Sequence, residues 1–374
     1  MEHNLLCSYL YAAFSLRGEG EGLSPDEARA VKAWRQAIVS VAIQEMGHLA
    51  TVNNLAVAVG GEPHFDRPNF PVPPGYHPAG FELRLTPFNE ATLEHFIFLE
   101  RPEDAPVVNP AEFEDPAQPP REAARALLTP SARDYETIGA LYEEIGREVR
   151  LLAGLRGART FCDAERQLSA EDSGLAGVVV IRDLDSALAA LKHIVEQGEG
   201  GRPGAHDSHF ARFCAIRDEW ARLRERNPAF APAHPVACDP VMRRPAAHAD
   251  RVWITARPAA DLVDLGNALY GAVLLILTQA YQPGEPAKRK ATMGAAIELM
   301  QGLSHVGTAL ARLRAAPDDP GVNAGLTFAV PRTQGARRAA LLDERLSELV
   351  RVYADLVGGA ANPVEKARRA FAAA

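Results

Sequence analysis

The chain has 374 residues, 47% hydrophobic and 24% charged, with a formal net charge of -8 and a pI of about 5.8. This composition excludes a disordered chain and leaves enough apolar material for one large domain or two smaller ones. An acidic chain without a block of Lys and Arg offers nucleic acid no broad positive surface, so DNA or RNA binding is not expected.

Four cysteines, Cys7, Cys162, Cys214 and Cys238, are scattered without a C-x-x-C pair, which fits a reducing cytoplasm better than a disulfide scaffold. The opening MEHNLLCSYLYAAFSLR has no basic stretch ahead of its apolar one, so no secretion signal is expected. The most apolar later run, Ala268 to Ala280, is shorter than the ~20 residues that a membrane span requires, so no membrane insertion is expected.

In chain order, Leu5, Leu6, Tyr9, Leu10, Ala13 and Phe14 trace one face of a first helix over Glu2 to Arg17. GEGEG at 18–22 breaks it, and Ser24-Pro25-Asp26-Glu27 supplies an N-cap, a first-turn proline and a capping-box Glu for a second helix running to Val59. Residues 62–130, dense in Pro and aromatics, read as a long crossover or lid with one helical patch near Ala91 to Leu99. Periodicity returns in a third helix, Asp134 to Leu155. A β-like VVVI follows at 178–181, and a fourth helix, Ala187 to Val195, stops at GEGG. A helix from His209 to about Arg226, a Pro-rich joint, two apolar helices over Leu262 to Tyr281 and Lys288 to Leu313, and a last one over Gln334 to Val357 complete the chain. The class is mainly α. The predicted division is 1–226 as a metal-binding helical bundle, 227–261 as the joint, and 262–374 as a helical extension packed on it.

IQEMGHLA puts Glu45 and His48 three residues apart on one helix face, where both can grip one ion, as in carboxylate-bridged dimetal bundles. Alone such a pair is common by chance. Its weight comes from carboxylates at matching heights on other helices. Glu2 lies 16 residues before Gly18 and Glu45 lies 21 after Ser24, heights that differ by about 7 Å at 1.5 Å per residue. Glu143 and Glu196 match each other in the same way. Glu2, Glu143 and Glu196 stand among apolar neighbours, where an isolated charge is costly unless a cation meets it. The spacing leaves the second imidazole open between His193, which shares a face with Glu196, and His209. Carboxylate and imidazole donors without thiolates suit iron first and manganese second, and argue against structural zinc.

The words EHNLLCSYLYAAFSL, IQEMGHLATVNNLAVAVGGEPHFDRPNFP, TIGALYEEI, IVEQGEGG followed by DSHFARF, and VNAGLTFAVPR resemble the ferritin-like family named for iminophenyl-pyruvate dimer synthase. That domain type is associated with the violacein and rebeccamycin pathways. The resemblance covers most of the chain in order. It implies a ferritin-like four-helix bundle and a nonheme iron or di-iron site built from Glu2, Glu45, His48, Glu143, Glu196 and His209, preferring His209 over His193. Haem binding stays open, as does homo-oligomerisation.

The expected activity is an oxidoreductase acting on a small molecule through an oxygen- or peroxide-activating metal. The resemblance implies oxidative coupling of two amino-acid-derived imines. A non-catalytic metal-binding or scaffold protein is the alternative. Tyr9, Tyr11 and Tyr142 are candidates for electron relay, although aromatic residues at helical spacing are more often core. His305 reads as a core histidine and Cys7 as a small buried residue. GEGEG and GEGG lack the context of a nucleotide loop, and neither a G-x-S-x-G elbow nor a Cys–His nucleophile signature occurs.

Overall fold

A computed structural model describes residues 1–73, 77–78, 81–114, 135–200, 207–245, 251–330, 336–357 and 363–373. The 115–130 part of the Pro-rich stretch, and the expected helix starts at Asp134 and Gln334, lie outside the described residues.

Helix α1 (Glu2–Ser15) is buried along nearly its whole length, polar residues included. A helix without a solvent face has to be enclosed, and α2 (Pro25–Ala58) covers it as the other arm of an antiparallel hairpin. The capping box forms as expected: Ser24 Oγ accepts from Glu27 N at 3.4 Å while Glu27 Oε2 accepts from Ser24 N at 2.8 Å. The chain then leaves α2 through Gly60, at φ +91°.

Inside the Pro-rich stretch, Asn89 Oδ1 accepts from Thr92 N at 2.8 Å and starts α3 (Glu90–Leu99), which packs against a later helix, α7. Helix α4 (Ile138–Arg156) is capped by the Thr137 side chain, and a short α5 (Ala170–Ser173) by Ser169. Helix α6 (Leu184–Val195), capped by Asp183, continues into a π-helical turn, Glu196–Gly200, in place of the expected stop. Then α7 (His209–Arg226) starts on its Ser208 cap. The expected VVVI strand does not form. Gln167 takes both backbone groups of Ile181, and Asn54 donates to Val179 O at 2.8 Å, so side chains satisfy the backbone there.

The expected joint runs extended beside earlier and later segments, with bridges Leu16 to Ala233, Val236 to Asn323 and Val241 to Trp253. Helices α8 (Ala259–Ala280) and α9 (Pro286–Leu310) form a hairpin. An unexpected β-hairpin follows, β1 (Arg314–Ala316) with β2 (Asp319–Asn323), and α10 (Ala336–Val357) and α11 (Pro363–Ala373) pack on α8 and α9. Helix α8 extends beyond the apolar run seen in the sequence and is long and apolar enough to cross a membrane. In the fold 67% of its most apolar window is buried among other elements. His305 is exposed on the outer side of α9 and is not a core residue.

One hydrophobic cluster extends from α1 and α2 through α3 and α7 to α8, α9, α10 and α11. The contact between the halves is close: a Cβ placed on Gly307 of α9 would collide with the Phe14 ring of α1. A smaller cluster joins α4 and α6 to the end of α2 through Leu55 and Ala58. A cluster of buried carboxylates and imidazoles lies among α1, α2, α3 and α7, with α4 and the π turn closing its side.

Candidate metal centre

Helix α2 presents Glu45 and His48 inward with His48 Nδ1 3.1 Å from Glu45 Oε2. Two groups of donors meet there, Glu2 with Glu45 and His48, and Glu45 with Glu100 and His209. Within each group the donor atoms lie within 4.8 Å of one another, and every residue is buried. Donors about 2.1 Å from one ion stand no more than about 4.2 Å apart, so small side-chain movements would close either group on a cation. Glu45 belongs to both groups.

His209, the first residue of α7, places Nδ1 2.9 Å from Glu45 Oε1 and 3.4 Å from Glu100 Oε2, yet makes no well-aligned hydrogen bond to either. The imidazole rings of His48 and His209 are 5.6 Å apart. Two tyrosines brace the carboxylates. Tyr9 of α1 donates to Glu100 Oε1 at 2.5 Å, and Tyr142 of α4 donates to Glu2 Oε1. On the far side of each imidazole stands a glutamine: His48 Nε2 lies 2.8 Å from Gln197 Oε1 and His209 Nε2 lies 3.1 Å from Gln44 Oε1.

Burial and the neighbouring groups together set the protonation of the cluster. Burial, and next the Glu45 carboxylate, push the Glu2 carboxyl up to about 8. Burial also works against the Glu45 charge, but His48 and His209 hold that carboxyl well below the usual range. Burial opposes a charge on His209, and Glu100 and Glu45 overcome it, raising the imidazole to about 10. For Tyr9 and Tyr142, burial and then the neighbouring Glu100 and Glu2 raise the phenols well above their usual range, so both remain donors. Among the described residues neither Lys nor Arg forms an ion pair with Glu2, Glu45 or Glu100.

Of the six residues implied by sequence, the structure gathers Glu2, Glu45, His48 and His209 and leaves two outside. Glu143 is exposed on α4, lining a surface groove between α4 and α6; its neighbour Tyr142 is the residue turned inward. Glu196 is also exposed, 3.6 Å from Lys192, and the next residue, Gln197, reaches the site instead. His193 lies against Gly177 and not among the donors. The carboxylate missed from sequence is Glu100. It follows the apolar run HFIFL inside the stretch read as a crossover, and that run was the available signal of a buried helix end. Glu199 faces inward from the same π turn, accepting from Gly139 N at 2.6 Å, and burial pushes its carboxyl up to about 7.

A family model described as ferritin-like matches residues 1–218, more than half of the chain and the whole of this cluster. The chain belongs to the ferritin-like family. Among curated proteins it is similar to dichlorochromopyrrolate synthase of Lentzea aerocolonigenes, at 27% identity over 95% of this chain and 38% of that protein. It is also similar to 2-imino-3-(indol-3-yl)propanoate dimerase of Chromobacterium violaceum, at 27% identity over 81% of this chain and 30% of that protein. The chain thus spans about a third of the length of these relatives. No solved structure matches it.

The residues of this ferritin-like chain fit a metal. Three carboxylates and two imidazoles converge in a dry interior, and the ring nitrogen of His209 faces two carboxylates without a hydrogen bond. A buried group of this composition is tolerable when a cation takes up its negative charge. Oxygen and imidazole donors without thiolate are the set that iron and manganese accept.

Proposed function

We propose that this ferritin-like protein is a metal-dependent oxidoreductase of secondary metabolism, with a di-iron centre that oxidatively couples a small imine derived from an amino acid. The observation that carries the metal centre is Glu45, shared by two donor groups, one completed by Glu2 and His48 and the other by Glu100 and His209. Support for the reaction class comes from the two relatives, one named a synthase and the other a dimerase of an indolyl imino acid.

Bound iron would supply the oxidising equivalents, drawn from dioxygen or a peroxide. The chain's own residues hold and tune the site. Tyr142 and Tyr9 keep Glu2 and Glu100 in place through hydroxyl donation. The apolar packing of Leu5, Phe96 and Phe213 excludes water on the bundle side. Before an ion binds, Glu2 holds a proton at a carboxylate oxygen near neutral pH, because burial and Glu45 raise it to about 8.

The test is metal content and oxidant consumption after iron-replete expression. A site of this kind is expected to hold one to two iron ions per chain and to consume dioxygen or peroxide in the presence of an aromatic imino acid. Fewer than about 0.2 metal ions per chain would refute the reading, because such a site has to be occupied to work. Bound metal with no oxidant consumption would leave a non-catalytic metal-binding protein.

A further inference from the structure

The metal ligands are not the only ordered polar groups in the bundle. Gln44 stands one residue before Glu45 on α2 and Gln197 stands in the π turn. Each offers its side-chain oxygen to Nε2 of a different imidazole, Gln44 to His209 at 3.1 Å and Gln197 to His48 at 2.8 Å. The identity of the Gln44 atom is set by a third residue. Arg212 Nη1 lies 3.2 Å from the same Gln44 oxygen. A guanidinium only donates, so the atom between Arg212 and His209 is an acceptor and the proton of that contact belongs to His209 Nε2. Arg212 is itself fixed, through Nη2 to Asp207 at 2.6 Å and Nη1 to Ser40 at 3.2 Å.

With a proton held on Nε2, the neutral His209 ring has its lone pair on Nδ1, the atom that faces Glu45 and Glu100. His48 is arranged alike, with Nε2 against Gln197 Oε1 and Nδ1 against Glu45, so that loss of the Nδ1 proton to an ion would leave a lone pair on the inward nitrogen. We propose that Gln44 and Gln197 are positioning residues that fix both imidazoles in the Nε2-protonated tautomer, so that Nδ1 of each is the metal-binding atom. Arg212 secures the Gln44 half of the device. The proposal rests on the metal-centre reading of the proposed function and assigns outer-shell partners of the kind that set ligand orientation. It also gives the π turn a role. The extra residue in such a turn shifts the helical phase of its C-terminal side, and here it accompanies the inward turn of Gln197 while Glu196 faces solvent.

The experiment is anaerobic titration of the full metal-free chain with Co(II), read by absorption and by competition with a chelator. It compares wild type with Gln44→Met, Gln197→Met and Gln44→Glu, each checked for native helicity. Methionine keeps the volume and removes the acceptor; glutamate restores an acceptor. Each methionine variant is expected to weaken one of two binding steps about tenfold or more while leaving the other unchanged, and Gln44→Glu to retain the wild-type affinity of its step. The proposal is overturned if folded Gln44→Met and Gln197→Met bind two ions with wild-type affinity, or if Gln44→Glu is as weak as Gln44→Met. Wild type that binds no Co(II) refutes the metal centre itself, an outcome distinct from both.

Discussion

The hydroxyl of Tyr9 lies 2.5 Å from Glu100 Oε1, tying the middle of α1 to the residue that ends α3. The ring is wedged edge-on against Phe96 at 4.6 Å and lies 5.2 Å from Phe213, so its position is set by packing before any ion is present. Tyr9→Phe keeps that packing and removes the hydroxyl. The expected loss is about 1.5–3 kcal/mol of stability, the range for a hydrogen bond to a charged group, measured as a lower urea midpoint at unchanged slope.

Glu45 is common to both donor groups, whereas Glu100 belongs to one. Glu45→Gln is expected to reduce bound iron to under about a tenth of wild type, and Glu100→Gln to about half, since only the former removes a ligand from each ion. Metal analysis of the purified variants, alongside circular dichroism to verify folding, measures both. Equal losses in the two variants would argue against a shared bridge.

Metal binding should release protons. At pH 7 the metal-free chain carries a proton on Glu2, raised to about 8, and one on His209, raised to about 10. Ions bound in the two donor groups would displace both, and any proton on His48 Nδ1, which calorimetry in buffers of different ionisation enthalpy counts. The same shifts set the sign of the metal-free stability. Both groups bind protons more tightly folded than unfolded, so their contribution is complete at low pH. It falls for Glu2 as pH rises from about 4.5 through about 8, and for His209 from 6.5 through about 10. The thermal midpoint of the metal-free protein should therefore drop between pH 7 and 9.5, and bound metal should remove most of that drop.

Gly325 lies where the C-terminal half meets α1. A Cβ there would overlap Tyr11 Oη, whose hydroxyl donates to Ala237 O. Gly325→Ala has to displace that buried phenol and should cost about 1–3 kcal/mol. Ring carbons Cζ and Cε2 of Tyr11 also lie 2.6 and 2.7 Å from that Cβ, so the double variant with Tyr11→Phe, measured by chemical unfolding, should recover little of the loss.

How much of this was readable from the residues depends on what each signal encodes. Helix α2 was legible to its cap, because Ser24, Pro25 and Glu27 specify a start by local chemistry and Gly60-Gly61 specify a stop. Glu45 and His48 were legible because a spacing of three fixes a shared face whatever surrounds it. Glu143 and Glu196 were read from apolar neighbours, yet at both positions the adjacent residue, Tyr142 or Gln197, faces the site. Helical phase is what decides between neighbours. On α4 it is set by packing against α6, and after α6 by a π turn that sequence periodicity does not reveal. Glu100 was hidden for another reason. The helical patch before it was legible, but Glu100 is the residue that ends that helix next to Arg101 and Pro102, and only the packing of α3 on α7 turns that end inward.

The donors come from positions 2, 45, 48, 100 and 209, so no short piece of the chain carries the centre. An ion captured there acts as a fastener between segments up to two hundred residues apart. It has no comparable grip on the unfolded polypeptide, and the free energy of its capture is therefore added to the native state alone. Under the proposed metal centre, melting temperature becomes a gauge of occupancy, and starving cells of the metal would lower the abundance of the protein.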